Sequence, residues 1–419
     1  MACGPPHGVS EGNLTGSTQT RGERMLELRK RRMAASHPFL RGGFRPFFFG
    51  GAVWAVIAIV LWLAVFAGQV TLPTAFDPVG WHRHEMLFGF VGAAVSGFLL
   101  TAIPNWTGRL PIAGAPLLSL FGVWAAARLA VMFSGAIGLW PAAIVDAGLF
   151  VTLALLAARE IIASKNRNAP IVGLVLLFGL ADAADYAGLA GAIPPDLGWR
   201  GAVALVVIMI SVIGGRIIPS FTRNWMAKQG IKAGLPTQPQ SLDLLVIAST
   251  AIALLFWLAV PDDRLTGWML VLAAAAQTLR ISRWGGARTF SDPLVAVLHA
   301  GYAWIPAGLL LLGLSAAGFD IPRSAGIHAL TAGAMTTMIL AVMSRASLGH
   351  TGRDLIASPA TVASYACVTI GALLRVAASL GVGDYSLMLD IAGTFWGLAL
   401  LLFAVAYAPI LWSARVGER

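Results

Sequence analysis

From residue 47 to residue 412 the chain is a near-continuous series of apolar runs, each about as long as a bilayer crossing. They fall near 47–67, 82–104, 112–134, 140–162, 170–192, 200–222, 242–260, 266–284, 291–314, 325–345, 358–380 and 386–412. A helix rises about 1.5 Å per residue, so about twenty residues cover a hydrocarbon core of about 30 Å. Inside lipid, every backbone N–H and C=O must find its partner within the structure, and runs of this length do so as helices. The chain is therefore expected to be all-α: a polytopic membrane protein of about twelve transmembrane helices. Charged residues make up only 11% of it, against about 25% in soluble domains. The run at 266–284 is the weakest of the twelve.

Residues 1–36 are polar and then basic, ending in Arg29-Lys30-Arg31-Arg32. They read as a disordered cytoplasmic tail, with no cleaved leader, before a single transmembrane domain over 37–419. A net charge of +10 on a soluble protein would suggest nucleic acid. Here the basic residues lie in short loops on one side, so they report topology. Counted from a cytoplasmic N-terminus, most of the 29 lysines and arginines lie in the tail and inner loops. Both termini are then cytoplasmic, and the partner of the charge is the lipid bilayer rather than nucleic acid. Cys3 and Cys367 form neither a disulfide framework nor a CxxC metal motif.

One span recurs. Trp81–Arg109 reads WHRHEMLFGFVGAAVSGFLLTAIPNWTGR, and the 23 steps from His84 to Thr107 match those from His328 to Thr351, with Gly-Arg following in both. Ile218-Pro219-Ser220-Phe221-Thr222 matches Ile103–Thr107, and there Trp199 holds the place of His84. The related spans are the second, sixth and tenth, which run in one direction. That spacing predicts three four-helix repeats around a pseudo-threefold axis along the membrane normal.

Histidine is rare, seven in 419, and ionisable groups within a membrane are costly unless paired or functional. His84 and His328 hold equivalent places near the outer face. Two imidazoles opposed across a shared interior are the axial ligands of a low-spin haem, with a cation-binding or proton-relay pair as the weaker option. The plainer alternative is two interfacial histidines bonded to water or headgroups. His82 points roughly 200° away from His84 on a regular helix and is the alternative ligand if the helix starts one turn later. Glu85 is placed to orient an imidazole, or simply to favour a helix N-terminus. His299 lies too far in depth from His328 to share a metal; it is a candidate ligand for a second haem or copper, or a core histidine partnered by Tyr302. His350, next to Arg353, is expected in a loop or at an anion.

Arg128, Asp146, Asp182, Asp185, Arg216, Arg375 and Asp390 also lie within spans. Asp182 and Asp185 share a helix face. Mutual pairing of these charges is the simpler expectation; a proton path through Asp182, Asp185 and Arg216 is the sharper one.

With WHRHEM, GFLLTAIPNWTGR, LHAGYAWIPAGLLLLGL and LGHTGR in order across the spans, the chain resembles the NnrS family from about Phe39 onward. That resemblance implies a polytopic bacterial inner-membrane protein containing haem, most simply b-type, and copper, linked to denitrification and tolerance of nitric oxide. It makes His82, His84, His299, His328 and His350 the pool of metal and cofactor ligands. A looser likeness is to the catalytic subunit of the haem-copper oxidases, whose low-spin haem lies between histidines on spans two and ten. The sixth and seventh spans here carry no histidine, so that superfamily's copper site is missing. The reading is thus a haem protein that binds or turns over nitric oxide or an iron-nitrosyl species, or passes electrons for that reaction. No catalytic residue or electron donor is assigned. A secondary transporter using intramembrane His and Asp residues is the alternative.

Overall fold

Proline and short polar caps start most of the helices, where backbone N–H groups lack partners inside the helix. Proline occupies the first or second position in the helices that begin at Pro78, Ala115, Ala169, Pro293 and Pro359. Asp263, Asp292 and Asp384 accept from Leu265, Leu294 and Leu387 N–H at 2.8, 3.0 and 2.8 Å. The computed structural model describes residues 27–28, 31, 33–236 and 240–417, so the basic tail expected over 1–36 falls largely outside the described residues.

Among the described residues, twelve long helices follow one another: α1 (Phe44–Phe66), α2 (Pro78–Thr107), α3 (Ala115–Met132), α4 (Leu139–Ala163), α5 (Ala169–Leu189), α6 (Leu197–Lys228), α7 (Ser241–Ala259), α8 (Arg264–Ser282), α9 (Pro293–Ala316), α10 (Arg323–His350), α11 (Pro359–Ser379) and α12 (Tyr385–Trp412). Among the described residues there is no strand. Eleven of these helices are long and apolar enough to cross a membrane. The exception is α8, the weakest run in the sequence. It packs between α7 and α9, and its buried Gln277 and Arg280 account for its lower apolarity.

The packing repeats every four helices. Helices α1 and α2, α5 and α6, and α9 and α10 pair; so do α3 and α4, α7 and α8, and α11 and α12. The units join through α4 on α5, α8 on α9, and α12 on α1, which closes the ring. This is the arrangement expected of three four-helix repeats. The related helices α2, α6 and α10 contribute to its interior, with 78% of the apolar window buried in α2 and 67% in α10.

Two backbone features sharpen the repeat. A π-helical stretch follows His84 directly (Glu85–Val91), and another follows His328 directly (Ala329–Met335). Such wide turns insert a residue and recur at functional sites. At the other ends, Gly108 and Gly352 have φ of +67° and +72°, the left-handed region that glycine enters without a Cβ clash. The TGR corners are thus helix-ending turns. Helix α6 has no π-helical stretch, and Arg223 follows its Thr222 where the other copies have glycine.

Candidate functional site

Successive residues on α2 face two different environments. His82 and His84 are two apart, so a regular helix turns one roughly 200° from the other. His84 is fully buried and faces α4 and α5. Its Nδ1 is 3.0 Å from Asp185 Oδ2, and its Nε2 is 2.9 Å from Asp146 Oδ2 and 3.8 Å from Asp182 Oδ1. The Tyr186 hydroxyl donates to the same Asp146 oxygen at 3.1 Å. Arg128 from α3 pairs with Asp146 and donates to Glu85 Oε2 at 2.7 Å. Trp54 from α1 donates to that same Glu85 oxygen at 2.6 Å. Gly89, one turn beyond Glu85, leaves the space: a Cβ there would lie 2.5 Å from Glu85 Oε2 and 2.8 Å from Arg128 Nη1.

His82 faces the other way, into a cavity of about 300 Å³. The cavity lies where α1 and α11 end and α2, α6, α10 and α12 begin, and its walls include Trp62, His82, Trp199, His328, Arg375 and Trp396. The His82 ring stacks on Trp62, 4.5 Å between centroids and 19° between planes. Its Nδ1 is buried without a hydrogen-bond partner. His328 Nδ1 is 2.7 Å from the Ser324 carbonyl oxygen. A ring N–H donated to a backbone carbonyl fixes the tautomer and leaves Nε2 as the ligand nitrogen, the usual support of a metal-bound histidine. Arg83 lines the same cavity, its guanidinium 5.0 Å from the Trp199 ring centroid and 3.7 Å from both Asp185 Oδ1 and Asp196 Oδ1.

The structure therefore does not bring His84 and His328 together across a shared interior. The physical reason is that both His84 ring nitrogens are engaged by aspartates of α4 and α5, on the side of α2 away from the cavity. His82 shares the cavity with His328 instead. Glu85 bonds to Arg128 and Trp54 rather than to an imidazole.

One family of proteins matches residues 38–415, and its description is NnrS protein. The chain belongs to the NnrS family. No curated protein matches it. At the level of the family this NnrS protein is a membrane protein of the nitric oxide response.

The remaining candidates lie elsewhere in this NnrS chain. His299 Nε2 is 2.8 Å from Thr222 Oγ1, so its partner is Thr222 rather than Tyr302. Tyr302 belongs to a separate buried network, donating to Gln277 Oε1 at 2.7 Å and accepting from Arg280 at 2.8 Å. Arg280 in turn donates to Asp243 at 2.8 Å. Arg216 is exposed and donates to Asn168; it lies 18 residues along α6 from Gly198, which packs on the Asp185 backbone. His350 is exposed, its ring centroid 5.5 Å from that of Phe44. Among the described residues, the only group of three His, Cys, Asp or Glu side chains close enough to share an ion is His84, Asp146 and Asp182. Among the described residues, His299 and His350 belong to no such group.

Sequence reasoning singled out His82, His328, Asp182 and Asp185. It left unassigned Asp146 as the partner of His84, and Arg83, Trp62 and Arg375 as cavity walls. The available signal was the run of charges within spans, since such groups must find one another.

Proposed function

We propose that this NnrS protein is a haem protein of the bacterial inner membrane that acts on nitric oxide or an iron-nitrosyl species, or passes electrons for that reaction. One observation carries the reading: two histidines from equivalent spans, His82 and His328, line one apolar cavity, and His328 has its Nδ1 taken by a backbone carbonyl. The donor set fits a haem. His82 and His328 are the two imidazoles that would hold the iron, and Arg83 and Arg375, which line the same cavity, would be cationic partners for the carboxylates such a macrocycle carries. Bound there, haem iron would supply one-electron chemistry.

What the chain's own residues do follows from their contacts. Trp62 fixes the plane of the His82 ring by stacking on it, and the Ser324 carbonyl fixes that of His328. Ile59, Leu87, Phe90 and Met335 keep the cavity wall apolar, which suits a small uncharged diatomic better than an ion. The positive-inside distribution supports cytoplasmic termini and hence a cavity near the periplasmic face.

The test is an oxidised and dithionite-reduced absorption spectrum of the purified chain and of His82→Ala, His328→Ala and His84→Ala. Sharp reduced α and β bands lost in the first two variants and kept in the third are expected. Nitric oxide added to the reduced native protein should then shift the spectrum. A colourless native protein from haem-replete cells would overturn the reading and favour a transporter.

A further inference from the structure

The acid cluster beside His84 is separate from the cavity, and haem chemistry gives it no task. It also carries an electrostatic imbalance. Glu85, Asp146, Asp182 and Asp185 are each no more than 2% exposed. Facing them are two guanidinium groups, those of Arg128 and Arg83. Buried charge without compensation is costly, more so in a membrane. With a neutral His84, and with Arg83 shared between Asp185 and Asp196, at least two negative charges are left without a cation.

Asp182 shows where the shortfall lies. Fully buried, it has no hydrogen-bond partner at either carboxylate oxygen. Every other acid of the cluster has an oxygen paired: Glu85 with Arg128 and Trp54, Asp146 with Arg128 and Tyr186, Asp185 with His84. Asp182 Oδ1 instead points at His84 Nε2 from 3.8 Å.

The distances suit an ion. Ligand atoms of His84, Asp146 and Asp182 all lie within 4.8 Å of one another. Metal–ligand arms of about 2.0–2.2 Å put neighbouring ligand atoms about 3.3 Å apart in a tetrahedral site. The two Nε2-to-oxygen separations, 2.9 and 3.8 Å, bracket that spacing. The supporting shell is present as well. His84 Nδ1–H can donate to Asp185, the carboxylate–histidine–metal arrangement that sets the ring and its tautomer, while Tyr186 and Arg128 hold Asp146.

We propose that His84 Nε2, Asp146 and Asp182 bind one first-row divalent cation, with Asp185 orienting His84. An imidazole with carboxylates suits Zn²⁺, Fe²⁺ or Mn²⁺, and the set offers no thiolate or thioether for cuprous copper. The site is closed off within α2, α4 and α5 and tied through Arg128 to α3, so an ion there would pin the first four-helix unit to the next.

Cobalt(II) is a suitable probe, because bound Co²⁺ reports its ligands in the visible spectrum. Purified full-length protein, treated with chelator and dialysed against Co²⁺, is expected to take up one ion per chain outside any haem. Asp182→Asn should lower the affinity at least tenfold while remaining monodisperse, and His82→Ala should leave it unchanged. On the wild-type protein alone, the electron spin echo of bound Co²⁺ should show one imidazole nitrogen. A wild-type chain that takes up no Co²⁺ would overturn the proposal. So would unchanged affinity in Asp182→Asn, or bound Co²⁺ without an imidazole signal. The last readout needs no variant, so poor folding of Asp182→Asn does not shield the proposal. Loss of haem colour alone would sink the cavity reading and leave this one standing.

Discussion

Arg128→Met tests whether buried charge pairing holds the first unit together. Arg128 is 2% exposed, and its two carboxylate partners, Glu85 and Asp146, are fully buried. Methionine keeps most of the side chain's length and removes the charge. Breaking a buried ion pair by deleting one partner costs about 3–5 kcal/mol, because the remaining charge stays buried. Two carboxylates lose their cation here, yet each keeps a neutral donor, Trp54 on Glu85 and Tyr186 on Asp146. A loss of about 3–5 kcal/mol is therefore expected, which is two to nearly four orders of magnitude in the folding equilibrium. Adding Glu85→Gln should recover a substantial part of it, since that change removes one of the orphaned charges. Unfolding would be followed in mixed micelles of mild detergent and dodecyl sulfate, with tryptophan fluorescence as the signal. A loss below about 1 kcal/mol, the value of an exposed pair, would refute the argument. No recovery in the double variant would do the same.

Other substitutions probe packing and the second network. A Cβ at Gly198 would fall 2.2 Å from the Asp185 backbone nitrogen, which cannot swing aside, whereas at Gly201 its nearest neighbour is 3.6 Å away. Gly198→Ala should cost about 1–3 kcal/mol through overpacking, and Gly201→Ala should be neutral or stabilising, both read as unfolding midpoints. Tyr302→Phe removes a buried hydroxyl that bridges Arg280 and Gln277. It should cost about 1–3 kcal/mol and leave any haem spectrum unchanged; loss of haem colour would tie this network to the cavity. His350→Ala should change neither colour nor stability, because the side chain is exposed; bleaching would put His350 back among the ligands.

The fold was readable because a bilayer leaves a chain few options. Length and apolarity set where helices run, and the repeated His-to-Thr frame placed equivalent residues in α2 and α10. The π-helical stretches and left-handed glycines at matching positions bear that frame out. Family membership was readable from the same motifs. The twelfth helix, α8, was the marginal one for the reason its buried Gln277 and Arg280 make plain: a helix inside a bundle can carry polar groups that a hydropathy count penalises.

The sequence could show that two histidines two residues apart on one helix look in opposite directions. It could not say which of them meets the cavity. That depends on the rotation of α2 about its axis, set by the packing of α1, α4, α5 and α6 around it. The same holds for the acids: Asp146, Asp182, Asp185 and Glu85 were visible as charges inside spans, but they come from α4, α5 and α2, and only their convergence on His84 turns them into a site. Sequence alone settled the membrane class, the helix order and the repeat, since those follow from local apolarity and spacing. Tertiary structure alone assigned His82 to the cavity and His84 to the aspartates, because helix rotation and neighbour identity are decided by contacts between segments far apart in the chain.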